Sequence, residues 1–145
     1  MYTGLLHTHR TVAYLFLVAT TALILLAIYR RISGAHAADS KQALLAKIAL
    51  ISGHTQLLLG LGLYFVGPWF DQLTSNTAEV MKTAELRWFA VEHIGANLVG
   101  IVLLTIGNSK FKKATDAEGK DKALLIYFGL GLLLIASRIP WDRLF

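Results

Sequence analysis

The sequence predicts an all-α fold: an integral membrane four-helix transmembrane bundle, with residues 1–145 as one domain. Three observations predict it. Of the 145 residues, 55% are hydrophobic and only 16% are charged, against about a quarter charged in average globular chains. Mean hydropathy is +0.56. Four runs each hold about 20 mainly apolar residues, the length that crosses a hydrocarbon core. The same composition excludes other classes. With no Cys, there is no disulfide scaffold, no thiolate-ligated zinc or iron–sulfur site and no thiol nucleophile. A net charge of +5 in so apolar a chain points to cytoplasmic loops rather than to nucleic acid.

The first run is Leu5–Tyr29, closed by Arg30 and Arg31. Ala35-His36-Ala37 looks like a signal-peptidase site, but the apolar run is too long and Arg30-Arg31 stands between, so the segment is expected to stay uncleaved. The second run is Leu44–Phe70, closed by Gly67-Pro68-Trp69. The third, Trp88–Gly107, is closed by Asn108-Ser109-Lys110, and the fourth, Ala123–Trp141, has Pro140 near its end. The loops are roughly Arg30–Ala43, Asp71–Arg87 and the lysine-rich Lys110–Lys122. Nine Lys and Arg fall on the side of the first and third loops and five on the other. The positive-inside rule then puts both termini outside. Trp69, Trp88 and Trp141 share that outer side, as an aromatic belt would. No phosphate loop, nucleophile motif or period-2 strand pattern is present.

The histidines carry the functional signal. Intramembrane ionisable residues are expensive and mark functional sites by default. His36 lies in the inner loop and reads as solvated. At about 1.5 Å per residue, His93 lies about 9 Å below the outer surface and His54 about 18 Å below it. His7 and His9 sit near the outer interface. His93, Asn97 and Gly100 form one stripe on the third helix. Gly53, Gln56 and Gly60 form another beside His54, where a neighbouring helix or a flat cofactor can approach closely. His7, Arg10, Thr11 and Tyr14 share a face of the first helix, and Gly129 and Gly131 thin the fourth.

Neutral imidazoles from facing helices are what hold heme iron in a bundle. A b-type heme needs no Cys-x-x-Cys-His attachment. The expected axial pair is His54 and His93, with His7 as the other candidate mate. Their depths differ by about 9 Å, which counts against a level pair. Arg10, Arg87 and Arg138 are placed for the propionates, and Asn97 for the cofactor wall. Each histidine also has an ordinary reading as a helix–helix hydrogen-bonding residue. Glu92 reads as a partner for Arg87 or Arg138 rather than as a catalytic acid.

The stretches His54-Thr-Gln-Leu-Leu-Leu-Gly-Leu-Gly-Leu-Tyr-Phe, Arg87-Trp-Phe-Ala-Val-Glu-His93, Thr105-Ile-Gly-Asn-Ser-Lys-Phe-Lys-Lys113 and Ile139-Pro-Trp141 give the chain a resemblance. It resembles the small four-span bacterial membrane proteins labelled cytochrome b-like, and more loosely the b561-type cytochromes. The resemblance implies one heme b at most, since the chain lacks two histidines on each of two helices and has none on the fourth. It implies electron transfer in a bacterial inner membrane. The partners that follow are the lipid bilayer, a quinone or another redox partner, and a second copy of the chain, with no nucleic acid. Two alternatives stand beside it. One is a non-heme metal site of His7, His9, His93 and Glu92. The other is a structural or accessory subunit of a respiratory or transport assembly.

Overall fold

The computed structural model describes residues 1–34 and 39–144, with Asp39 described by its backbone only. His36 and the Ala35-His36-Ala37 motif lie outside the described residues. No strand occurs among the described residues. Helix α1 (Tyr2–Ser33) ends at Gly34, whose φ of 67° is the left-handed cap geometry that glycine reaches freely. Helix α2 (Asp39–Val66) stops before Gly67-Pro68. Proline lacks an N–H, and its ring disfavours helix in the residue before it. Three short helices follow: α3 (Trp69–Ser75), α4 (Thr77–Lys82) and α5 (Ala84–Arg87). A wide π-type turn over Trp88–Glu92 leads straight into α6 (His93–Lys113). The last rod is α7 (Ala117–Ala123), a second π-type turn (Leu124–Phe128) and α8 (Gly129–Ala136). Asp116 caps it by accepting the Gly119 N–H at 2.7 Å. A short α9 (Trp141–Leu144) closes the described chain.

Three helices among the described residues are long and apolar enough to cross a membrane: Tyr2–Ser33, Ser40–Val66 and Ala84–Lys113. The expected fourth, Ala123–Trp141, is shorter than the sequence suggested. Helix stops at Ala136 and the chain turns at Ser137 and Arg138. The rod before Ala123 carries Glu118, Lys120, Asp121 and Lys122. The apolar part is residues 123–136, about 21 Å of helix.

The four rods pack as a ring in chain order, and the fourth touches the first. The core holds Phe16, Leu23, Ala27, Leu104, Leu124 and Phe128. The outward faces are apolar as well: Val18 is 69% exposed, Leu58 70% and Leu133 68%. In water, a surface of that kind is an interaction or aggregation surface.

Small residues set the closest approach. A Cβ on Gly100 would stand 2.5 Å from Ile135 Cγ1, and one on Gly131 2.3 Å from Leu104 Cδ1. Backbone therefore meets backbone between α6 and α8. Gly100→Val is expected to destabilise the fold by about 1–3 kcal/mol through overpacking. Gly129, with nothing within 4 Å of its Cβ position, is the control. Gly129→Ala should be neutral or slightly stabilising, since alanine favours helix by roughly 0.5–1 kcal/mol. Thermal unfolding of the two variants in detergent compares them directly.

The end of the bundle opposite the short helices is tied by charge. Arg30, Asp121 and Gln42 are each 0% exposed. Arg30 Nε lies 3.3 Å from Asp121 Oδ1. Gln42 Nε2 donates to the same oxygen at 2.6 Å. The first, second and fourth rods are thereby joined at one carboxylate.

Candidate functional site

At the other end, α3–α5 fold over the bundle as a cap. Tyr64 at the end of α2 donates its hydroxyl to the Ala90 carbonyl at 3.0 Å. Trp69 stacks on Phe89, with ring centroids 4.8 Å apart. The Arg143 guanidinium lies over the other side of this layer, 4.5 Å from the Phe89 centroid, and reaches Glu85 at 3.1 Å. The Tyr14 hydroxyl donates to the Leu144 carbonyl and ties α9 to α1.

Beneath the cap lies a cavity of about 290 Å³. Its walls are mostly apolar, with Phe16, Leu57, Ile94, Ile135 and Ile139 among them. Its polar groups are few: His9, Arg10, Gln56, Tyr64, His93, Asn97 and Arg143. An apolar pocket with a few convergent polar groups is the usual form of a small-molecule or cofactor site.

His93 is the best-fixed of these. Its Nδ1–H donates to the Arg138 carbonyl at 2.7 Å. A carbonyl only accepts, so the neutral ring carries its proton on Nδ1 and keeps Nε2 as the lone-pair nitrogen. Ligating histidines are held in this way, by a hydrogen bond from the other ring nitrogen. The π-type turn over Trp88–Glu92 ends immediately before His93. Such turns insert a residue into the helical register and recur at functional sites. Asn97, one turn on, donates to the His93 carbonyl at 2.7 Å.

His9 stands on α1 and lines the same cavity as His93. Its Nδ1 is buried with no hydrogen-bond partner among the described residues, and so is Gln56 Oε1. Buried polar atoms in native folds are normally paired. Both residues line the cavity. Gly60 lies against the His9 ring: a Cβ there would be 3.2 Å from His9 Cε1. The close approach expected at Gly60 is thus made by an imidazole.

His54 and His7, the other expected iron ligands, lie elsewhere. His54 is exposed on α2 and does not line the cavity. Its Nδ1–H donates to the Leu50 carbonyl at 2.8 Å, and its Nε2 lies 3.4 Å from Thr105 Oγ1. Thr105 is twelve residues beyond His93 on α6, about 18 Å along the helix. The structure therefore does not bring His54 and His93 together. His7 is exposed and outside the cavity as well. Residues i and i+2 on a helix point about 200° apart, so His7 and His9 cannot both face inward.

Arg87 and Arg138 are both committed to Glu92. Arg87 Nε reaches Glu92 Oε1 at 2.8 Å, and Arg138 Nε reaches Oε2 at 3.1 Å. Arg138 also lies over the Trp88 ring, 4.9 Å from its centroid. Glu92 is thus the arginine partner that the sequence suggested. Arg10 lines the cavity and pairs with no carboxylate among the described residues. His7, His9, His93 and Glu92 form no metal cluster: among the described residues no group of three or more His, Cys, Asp or Glu is placed to hold a metal ion.

No protein-family model, curated protein or solved structure matches the chain. The resemblance seen in the sequence rests on its residues alone.

Proposed function

We propose that the chain is a four-span membrane protein of a bacterial inner membrane, with both termini outside. In this reading it binds one b-type heme in the capped cavity and serves in electron transfer. The observation that carries the proposal is the convergence of two imidazoles from different helices, His9 and His93, on one apolar cavity. His9 presents a buried nitrogen with no partner among the described residues. His93 keeps Nε2 as its acceptor because Nδ1 is bound to Arg138. Two neutral imidazoles are the donor set that a b-type heme takes, which supports this reading.

The apolar rods supply the membrane part. Three are long and apolar enough to cross, and the outer surface of all four is apolar. In this reading the fourth rod also crosses, with about 21 Å of apolar helix against a core of about 30 Å and Ser137 and Arg138 at its end. The lysine-rich end then faces the cytoplasm.

A bound heme would supply a one-electron couple. The chain's own residues do the rest. His93 is oriented by the Arg138 carbonyl. Phe16, Leu57 and Ile135 give the cavity apolar walls. Arg10 would offer a cation to a propionate, whereas Arg87 and Arg138 hold the Glu92 carboxylate at the turn before α6. Trp69 and Phe89 close the outer side.

One observation favours a second reading. A volume of about 290 Å³ is at the small end of ligand pockets, which suits the single ring of a quinone. Titration separates the two. Hemin added to detergent-purified protein from heme-starved cells should saturate at about one per chain with a sharp Soret band. Hemin that stays in the micelle, together with saturable binding of a short-chain quinone, would replace the heme reading by the quinone one.

A further inference from the structure

The end of the bundle away from the cavity carries a second concavity, formed where α6 ends and α7 passes into α8. Lys110, Lys113 and Lys122 line it, with Gly119, Ile126 and Tyr127. All three lysines are exposed. The Lys110 ammonium sits 5.7 Å from the Tyr127 ring centroid. The acidic residues nearby are engaged elsewhere. Asp116 accepts from Gly119 N, Glu118 faces Arg31 at 3.7 Å, and Asp121 is buried against Arg30 and Gln42. None of the three lysines has a carboxylate partner among the described residues.

The apolar surface beside this concavity has a direction. Ile126 is 42% exposed, Leu130 53% and Leu133 68%. All three are on the exposed surface of this rod, Ile126 in the π-type turn and Leu130 and Leu133 in α8. The stripe starts at the lysines and runs about 10 Å away from them along the helix. A cluster of cations at the head of an exposed apolar track matches a molecule with an anionic head and a hydrocarbon tail. A free phosphate would use the lysines and leave the track without a purpose.

We propose that this concavity binds an anionic phospholipid, its phosphate among Lys110, Lys113 and Lys122 and an acyl chain along Ile126, Leu130 and Leu133. The proposal rests on the membrane placement and is independent of the heme. Basic pockets at the cytoplasmic side of membrane helices take anionic headgroups in this way.

The test is lipid retention by native mass spectrometry of the detergent-purified full chain. The probes are phosphatidylglycerol, phosphatidylcholine and soluble glycerol phosphate. Wild-type protein should retain phosphatidylglycerol in preference to phosphatidylcholine, and glycerol phosphate should not displace it. The triple variant Lys110→Gln, Lys113→Gln, Lys122→Gln should weaken retention on the order of a hundredfold. A charge-matched triple away from the concavity, Lys41→Gln, Lys47→Gln, Lys82→Gln, should change it by less than about threefold, as expected of diffuse attraction alone. Leu130→Ser with Leu133→Ser should also weaken it, with an unchanged unfolding midpoint showing that the fold is intact. Equal loss in the two lysine triples would overturn the proposal, as would equal retention of phosphatidylcholine. Displacement by glycerol phosphate would overturn the lipid assignment in favour of a free phosphate. The readout needs no heme, so its failure is distinct from failure of the cofactor reading.

Discussion

Asp121→Ala should destabilise the fold by about 3–5 kcal/mol, the range for breaking a buried ion pair from one side. The carboxylate is 0% exposed, as are the two side chains that meet it, Arg30 and Gln42. Its loss removes the carboxylate 3.3 Å from the buried Arg30 Nε and frees the Gln42 amide from its 2.6 Å bond. The contact joins residues 79 apart in the chain, so three rods lose a shared anchor. A large drop in the thermal midpoint of purified protein, or loss of folded protein from the membrane, is the expected readout. The double replacement Arg30→Met with Asp121→Leu should recover much of the loss, because it removes both charges together. If Asp121→Ala leaves the midpoint within a degree or two of the wild type, the anchor contributes nothing.

His93→Ala should abolish heme binding, and His9→Ala should abolish it or leave a five-coordinate, high-spin site. His54→Ala and His7→Ala should leave the spectrum unchanged. The asymmetry follows from placement. His9 and His93 line the capped cavity, whereas His54 lies exposed beside Thr105, about 18 Å along α6 from His93. His93→Ala also removes the bond to the Arg138 carbonyl. A modest loss of stability of about 1 kcal/mol should therefore accompany it even in heme-free protein. Visible spectra of the four variants, at equal folded protein, make the comparison. Loss of the band in His54→Ala with retention in His9→Ala would move the site out of the cavity.

The rods were legible because long apolar runs leave few alternatives. Gly67-Pro68 and the Arg30-Arg31 pair marked ends that the structure keeps within a few residues. Lys110 fell inside α6, which runs on to Lys113 before stopping. The fourth span read long because its apolar composition continues through Ile139, while the helix itself ends at Ala136. The stripe of His93, Asn97 and Gly100 was legible too: His93 and Asn97 line the cavity, and Gly100 packs on Ile135.

The choice between His7 and His9 was not legible. Helix α1 is apolar on its outward face as well as its inward one, with Leu15, Val18 and Leu25 all exposed, so the pattern names no inner side. Depth along the chain was a poor guide to His54, whose facing depends on how α2 packs against α6. The π-type turn before His93 shifts the register by a residue, which a 3.6-residue template does not anticipate. Arg30 read as a loop cation that fixes topology. Its burial against Asp121 depends on a contact between distant parts of the chain, and no local pattern announces that.

The most direct test of the central claim is a reduced-minus-oxidised visible spectrum of the protein purified from heme-replete cells, with heme and iron measured on the same sample. A sharp α-band and about one heme per chain are expected, the signature of a low-spin site with two nitrogen ligands. A flat difference spectrum with no stoichiometric iron, from a preparation that is folded and came from cells rich in heme, would contradict it.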